Sequence, residues 1–220
     1  MEISVTEENY LKAIYSLSTG GFDVSTTALS EKLNNSAASV SDMLKKLSAK
    51  KLLHYQKYKA VSLSKLGEKT AKAIVRKHRL WEVFLLETLK FGWDEVHEIA
   101  EQLEHIRSEE LIRRLDIFLG KPRFDPHGDP IPDHSGSLPA TRARSLFEYA
   151  KNGSYVFVGV NDHSPDFLRH LSTLGLKPGE RFRAEEHNAY DGSFKVRIGR
   201  NTRHFLSQKV ASNILVKSGT

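Results

Sequence analysis

Apolar residues recur every three or four positions through the first half of the chain, a spacing typical of amphipathic helices. The spacing predicts helices over residues 7–19, 26–33, 37–50 and 64–89, and over 94–119 with a break near 107–108. Residues 52–56 and 60–63 predict two short strands instead, with Lys57, Tyr58 and Lys59 in the bend between them. Helix, three-residue turn, helix and β-hairpin follow one another in the order of a winged helix-turn-helix.

The second half of the chain has a different pattern. Residues 121–140 hold five of the seven prolines, which predicts an irregular linker. After the linker we expect a short helix over 140–151, then strands at 155–160, 181–186, 194–198, 205–206 and 214–216, with a hairpin turn at 191–192. The predicted fold class is therefore α+β and multidomain, with a winged helix-turn-helix DNA-binding domain over 1–73, a helical domain over 74–140 and a small β domain over 141–220.

The amino-acid composition excludes several classes of protein and of metal site. With 39% hydrophobic and 27% charged residues the chain is typical of a soluble globular protein, and no run approaches the ~20 apolar residues of a membrane span. The N-terminus is acidic and has no apolar secretory core, so a cytoplasmic location is expected. Cysteine is absent, which excludes disulfides, thiol catalysis and cysteine-bound zinc, so a metal ion would have to be bound by oxygen and imidazole.

Charge is unevenly distributed along the chain. Residues 26–72 contain ten lysines against three acidic residues, whereas residues 74–120 contain seven basic and ten acidic residues. The first region suits contact with a polyanion and the second suits contact with a cation.

The start of the third predicted helix is small and hydroxylic, so it can approach base edges closely, and lysines follow it as phosphate contacts. The predicted DNA contacts, to double-stranded operator DNA, are Thr26, Ser36, Ala38, Ser39, Ser41, Lys45, Lys46, Lys57 and Lys59, with Tyr58 extending the wing. The alternative is a three-helix bundle whose lysines only keep its surface hydrated.

Histidines and carboxylates recur at helical spacing in the acidic region. His78 and Glu82 are four residues apart, and Glu101, Glu104 and His105 fall on one turn, with His97 one turn before them. Such donors favour Mn²⁺ or Fe²⁺, and Zn²⁺ or Co²⁺ can also bind. Solvent-facing side chains would show the same spacing. The zinc-protease motif is missing, because the fifth position of His97–Glu101 is Glu, and we expect no enzyme activity.

Four motifs together resemble the diphtheria-toxin-repressor family of metal-dependent transcriptional regulators. They are Glu8-Asn9-Tyr10-Leu11 with Ile14-Tyr15, Arg76-Lys77-His78-Arg79-Leu80 with Glu82, Val96-His97-Glu98 with Glu101 and Glu104-His105, and Pro126-His127-Gly128-Asp129-Pro130-Ile131-Pro132. The resemblance implies a winged-helix domain, a helical dimerisation domain that holds metal, and an SH3-like (FeoA-like) β domain. It also implies a homodimeric repressor of iron or manganese uptake genes with Mn²⁺ or Fe²⁺ as co-repressor.

Carried over by position, the resemblance implies two sets of metal ligands. Glu101, Glu104 and His105 match a primary site, and the position of its further ligand from the first helix is Asn9 here. Iron-responsive members of the family have a cysteine at the position of Glu101, and manganese-responsive members have a carboxylate residue there. The ancillary set consists of His78, Glu82 and His97, with Asp162 in the β domain.

Two positions depart from the manganese-responsive pattern, because Asn9 stands where those members have Asp and Lys12 where they have Glu, so a binuclear site is not expected. A metal ion between Asn9 and the Glu101–His105 turn would fix the first helix and so place both recognition helices of a dimer. The alternative function is a winged-helix transcription regulator that responds to a non-metal ligand or a partner.

Overall fold

The computed structural model describes residues 2–20, 24–57, 59–149, 152–199 and 202–219. Tyr58, predicted on the wing, lies outside these residues. The chain forms two compact units. The first consists of residues 1–78, 101–109 and 132–138, and the second of residues 79–100, 110–131 and 139–220. No helix within the described ranges is both long and apolar enough to cross a bilayer.

The first unit contains a winged helix-turn-helix, as predicted. Its elements are α1 (Val5–Thr19), α2 (Thr26–Leu33), α3 (Ala37–Ala49), β1 (Leu53–His54) and β2 (Ser62–Leu63), the last two antiparallel. The strands are shorter than expected, two residues each. Apolar side chains of all three helices are fully buried together, among them Leu11, Ile14, Leu29, Leu44 and Leu47.

Local capping explains where these helices begin and end. Ser4 and Glu7 form a capping box at the start of α1, and Ser36 caps α3 by accepting from the backbone N–H of Ser39. Asn34 ends α2 in the left-handed conformation, with φ 50°, which asparagine tolerates better than most residues. The tight turn before α3 follows from these two residue choices.

Three helices follow the wing: α4 (Lys65–Glu87), α5 (Val96–Leu103) and α6 (Glu109–Phe118). The predicted break near 107–108 is confirmed. Helix α4 contributes residues up to His78 to the first unit and residues from Arg79 to the second. The proline-rich region after α6 is irregular, as predicted, and holds a single bridge between Phe124 and Pro130 among its described residues.

The rest of the second unit is a six-stranded antiparallel sheet with three short helices. In chain order the elements are β3 (Arg144–Ser145), α7 (Leu146–Tyr149), β4 (Gly153–Val160), α8 (Pro165–Thr173), β5 (Arg181–His187), β6 (Phe194–Ile198), β7 (Thr202–Leu206), α9 (Gln208–Asn213) and β8 (Ile214–Ser218). The strand order is β3-β8-β4-β5-β6-β7. Phe157, Leu168, Leu171 and Phe194 are buried in its core.

Two expectations for this unit were wrong. The helix predicted over 140–151 is mostly absent from the described part of that range, which ends at 149: Arg144 and Ser145 pair with Val216 and Leu215 of β8, and Leu146–Tyr149 is helical. Cross-strand pairing outweighs the local helical preference there. Helices α8 and α9 were not predicted, although Pro165 in the first turn of α8 and Ser207 as the cap of α9 are helix-start signals.

A close backbone contact holds the proline-rich region against β4. The backbone N–H of Val160 donates to the carbonyl of His127 at 2.8 Å. A Cβ atom on Gly159 would lie 2.4 Å from the His127 carbonyl oxygen, and one on Gly128 would lie 2.3 Å from that of Val158. Only glycine at both positions permits this approach, and His127 is thereby fixed in place.

We expect Gly159→Ala to lower the free energy of unfolding by about 1–3 kcal/mol, because the added methyl group overlaps backbone that cannot move aside cheaply. Urea unfolding followed by circular dichroism measures the change. Gly153→Ala on the same strand is the matched control, since its nearest contacts would be an ordinary 3.6 Å from the Tyr155 ring. Equal unfolding free energies for the two variants would contradict the steric explanation.

Candidate functional site

A buried polar cluster lies in the second unit, formed by Glu82 of α4 and by Asp125 and His127 of the proline-rich region. Their exposed fractions are 2%, 7% and 1%. One carboxylate oxygen from each acid and one imidazole nitrogen all lie within 4.8 Å of one another. Three potential ligand atoms at this spacing can surround one cation.

The orientation of His127 suits metal binding. Its Nε2 lies 2.8 Å from the carbonyl oxygen of Trp93, and since a carbonyl only accepts, Nε2 carries the hydrogen. The other nitrogen, Nδ1, lies 3.6 Å from Oε1 of Glu82. Histidines that bind metals are usually held in this way, with the second ring nitrogen donating to a carbonyl or a carboxylate.

The side chain of Asp125 is held by backbone N–H groups of the turn that begins at this residue. Its Oδ1 accepts from the backbone N–H groups of His127 at 2.8 Å and of Asp129 at 2.9 Å. Nε of Arg79 lies 3.4 Å from its Oδ2, and Nη2 of Arg79 donates to Asp129 at 2.9 Å. Arg79 therefore positions the turn from α4.

The acidic side chains of the cluster carry more buried negative charge than the guanidinium of Arg79 offsets. Burial, followed by the charges of Glu82 and Asp129, raises the pKa of Asp125 to about 8. Burial by itself lowers the pKa of His127, but the hydrogen bond and charge of Glu82 outweigh it and raise this pKa to about 9. Two carboxyl groups in one dry site must share protons or receive a cation.

Further imidazoles stand around this cluster. Nδ1 of His97 lies 3.1 Å from Oε1 of Glu82. The ring of His163 is centred 5.1 Å from that of His127, and its Nε2 is buried without a hydrogen-bond partner among the described residues. Burial lowers the pKa of His163, which keeps it neutral.

The structure thus brings Glu82 and His97 of the predicted ancillary set together within the second unit. His78 of that set belongs to the first unit. Asp162 is half-buried, and its Oδ1 accepts from the backbone N–H of Ser164 at 2.9 Å before α8. Sequence reasoning missed Asp125 and His127 as donors. The signal was present, because His127 lies in the Pro126–Pro132 motif and Asp125 directly precedes it.

A second acidic cluster lies in the first unit, where Lys12 of α1 meets the predicted primary set. Nζ of Lys12 forms ion pairs with Glu101 and, at 2.7 Å, with Oε2 of Glu104. Nδ1 of His78 lies 2.6 Å from the same oxygen of Glu104. Glu104 is fully buried; burial alone raises its pKa, but His78 and Lys12 outweigh this effect and lower it.

Two buried oxygen atoms of the first unit have no hydrogen-bond partner among the described residues: Oε1 of Glu104 and Oδ1 of Asn9. Nε2 of His105 lies 3.9 Å from the first of them, while its Nδ1 is engaged by Glu8 at 2.6 Å. Buried polar atoms without partners are uncommon and call for an explanation. A cation bound by Asn9, Glu104 and His105 would provide one.

The predicted DNA contacts lie on the outside of the winged helix. Exposed positions are Ser36, Ala38, Ser39, Lys45, Lys46, Lys57 and Lys59, while Thr26 and Ser41 are half-buried. Ser41 donates to the carbonyl of Ala37 at 2.8 Å, and Lys45 pairs with Asp42 at 2.9 Å. Lys46 lies 3.3 Å from Glu7, so this lysine also ties α3 to α1.

Three regions of the chain match known protein families. Residues 2–61 match the N-terminal DNA-binding domain of iron-dependent repressors, and residues 64–133 match the metal-binding and dimerisation domain of the same proteins. Residues 144–218 match the FeoA domain.

Whole-protein comparisons agree with these matches. The chain is 35% identical over 131 residues to the iron-dependent repressor IdeR of Mycobacterium tuberculosis, which is 60% of this chain and 57% of that protein. It is 33% identical over 127 residues to the diphtheria toxin repressor of Corynebacterium jeikeium, 58% of this chain and 53% of that protein. The chain therefore matches little more than half the length of these relatives.

Solved structures match over nearly the whole chain. A manganese-dependent transcriptional repressor in complex with manganese is 36% identical with a TM-score of 0.83, covering 96% of this chain and 99% of that one. ScaR with bound Zn²⁺ is 32% identical with a TM-score of 0.77, over 96% and 99% of the two chains. The chain belongs to the diphtheria-toxin-repressor family, the iron-dependent repressors and their manganese-dependent relatives.

Proposed function

We propose that this protein is a DNA-binding transcriptional repressor of iron or manganese homeostasis that uses Mn²⁺ or Fe²⁺ as co-repressor. The observation that carries the proposal is the buried cluster of Glu82, Asp125 and His127 in a chain that also has a winged helix. The relatives are repressors rather than enzymes, and we assign no enzymatic activity here. The proposed location is the cytoplasm.

The donor set fits a first-row divalent ion. It offers carboxylate oxygens and imidazole with no thiolate, which suits Mn²⁺ and Fe²⁺, although Zn²⁺ and Co²⁺ also bind such ligands. When bound, a divalent cation would add positive charge beside the two buried carboxylates. His97 and Asp162 are further candidate ligands on the same unit.

The residues around the cluster hold its donors in place. The carbonyl of Trp93 accepts from Nε2 of His127 and so directs Nδ1 towards Glu82, and Arg79 fixes the Asp125 turn on α4. The contact between Gly128 and Gly159 attaches the same turn to β4. Loading of the cluster would therefore stiffen the join between α4, the proline-rich region and the sheet of the second unit.

The first unit is proposed to hold a second cation at Asn9, Glu104 and His105. The two unpartnered oxygen atoms and the nearby Nε2 of His105 support this assignment. Glu101 and His78 complete the candidate set on this unit. Such a site would connect α1 of the DNA-binding domain to the segment that follows α5.

We propose that the protein binds operator DNA as a homodimer, with α3 in the major groove and the wing on the backbone. The proposed domains are residues 1–73 for DNA, 74–140 for metal and dimerisation, and 141–220 for the SH3-like domain. Exposed apolar side chains on α6, including Ile117 at 52% and Phe118 at 67%, supply a dimer surface.

We expect His127→Ala to weaken Mn²⁺ binding at one site by roughly tenfold to a hundredfold or more, because it removes a ligand from a preorganised cluster. Calorimetric titration of chelator-treated protein measures the affinity and the number of ions. His170→Ala on α8 removes an exposed imidazole and is the matched control. Manganese affinity unchanged by His127→Ala would overturn the assignment of the cluster.

DNA binding is tested with a duplex selected from a random library by the manganese-loaded protein. Gel-shift affinity for this duplex should fall when a chelator replaces Mn²⁺, since the metal favours the DNA-competent conformation. Equal affinity with manganese and with chelator would reject metal control and favour a regulator of another ligand.

We expect Lys45→Ala to weaken binding to selected and random duplexes about equally and to lower the salt slope of log K by ~1, since it removes one phosphate contact. Fluorescence anisotropy across a salt series provides the slope. Lys209→Ala on α9, an exposed lysine outside the winged helix, should leave the slope unchanged. A change confined to the selected duplex would show that Lys45 contacts bases instead.

A further inference from the structure

Lys12 lies where the acidic side chains of the first unit converge. Its side chain, 18% exposed, points from α1 to Glu101 and Glu104, and the Glu104 side chain is fully buried. Both contacts link residues about 90 positions apart in sequence. The ammonium therefore joins α1 to the segment 101–105.

Two carboxylates this close need a positive charge between them. Without one they repel, and a buried carboxylate is costly unless it is paired. His78 meets Oε2 of Glu104, and Lys12 forms an ion pair with each of the two acids. A lysine ammonium is a compact point charge that can meet several oxygen atoms at once, as a metal ion does.

We propose that Lys12 is the resident cation of the Glu101–Glu104 pair and stands in place of a metal ion bridging these two acids. A metal ion is therefore not needed to tie α1 to segment 101–105, and this part of the site binds one ion fewer than its carboxylates alone would allow. This role of Lys12 depends only on charged side chains of the chain itself, so it holds whether or not the protein is regulated by a metal ion.

Contacts of Glu7, on an earlier turn of α1, connect this helix to α3, the recognition helix of the DNA-binding surface. Glu7, buried with an exposed fraction of 1%, lies 2.8 Å from Nζ of Lys50 and 3.3 Å from that of Lys46. These two lysines belong to the end of α3 and its cap. Lys12 thus anchors the helix against which the recognition helix is held, with or without metal.

The first experiment compares Lys12→Ala with Lys12→Arg. Manganese is counted by elemental analysis after saturation and gel filtration, and the melting temperature is measured in EDTA and in Mn²⁺. Lys12→Ala leaves space and removes the ammonium that both acids share, so it should bind about one more ion per chain than the wild type, melt at a lower temperature in EDTA and regain stability in Mn²⁺. Lys12→Arg should retain the wild-type count.

Glu104→Gln added to Lys12→Ala should remove the additional ion, which locates it at this pair. Equal manganese counts and equal melting temperatures for the wild type and Lys12→Ala would overturn the proposal. A wild type that binds no manganese would defeat the proposed function, while the difference between the two Lys12 variants would still test this inference.

A second measurement needs no variant and covers the case in which Lys12→Ala fails to fold. Lysine acetylation by acetic anhydride is followed by mass spectrometry in EDTA and in Mn²⁺. Lys12 should react about tenfold more slowly than exposed Lys59 in both conditions, because its amine is released only by local opening. Rapid modification of Lys12 in manganese would show that a metal ion displaces it and would overturn the proposal.

Discussion

Buried carboxylates must receive positive charge, and this requirement organises both units of the protein. Glu7 is met by Lys46 and Lys50, and Glu104 by Lys12 and His78. Arg79 and His127 lie beside Asp125 and Glu82, and burial, followed by the charge of Glu82, raises the pKa of Asp125 to about 8. The cluster of the second unit suits a divalent cation as its added charge, whereas in the first unit Lys12 already serves the Glu101–Glu104 pair.

The two clusters differ in how their cation is supplied. In the first unit a covalently attached ammonium is present whatever the metal supply, and it fixes α1 to segment 101–105. In the second unit the corresponding charge must come from protons or from an ion in solution. A sensor needs the second arrangement, since only a group that leaves and returns can report a concentration. The first arrangement provides a stable base for the recognition helix.

Sequence reasoning was accurate where local chemistry decides the structure. The helix-turn-helix followed from apolar spacing and from Ser36 and Asn34, and the hairpin turn at 191–192 from an Asp-Gly pair. Prediction from the sequence failed where pairing with a distant strand decides the local structure. This is the case at Arg144 and Ser145, which pair with β8 about 70 residues later. The candidate ligands on helices were identifiable by spacing, whereas Asp125 and His127 lie in an irregular segment whose path no periodicity reveals.

By itself the sequence determined the winged helix, the family and the types of donor available, because helix spacing, capping residues and the absence of cysteine are properties of the chain alone. Only the tertiary structure decided which donors meet. It directed Lys12 to Glu101 and Glu104, and it joined Asp125 and His127 to Glu82 through the close contact between Gly128 and Gly159. Charges separated by 40 to 90 residues interact only after folding has brought them together and removed water from between them.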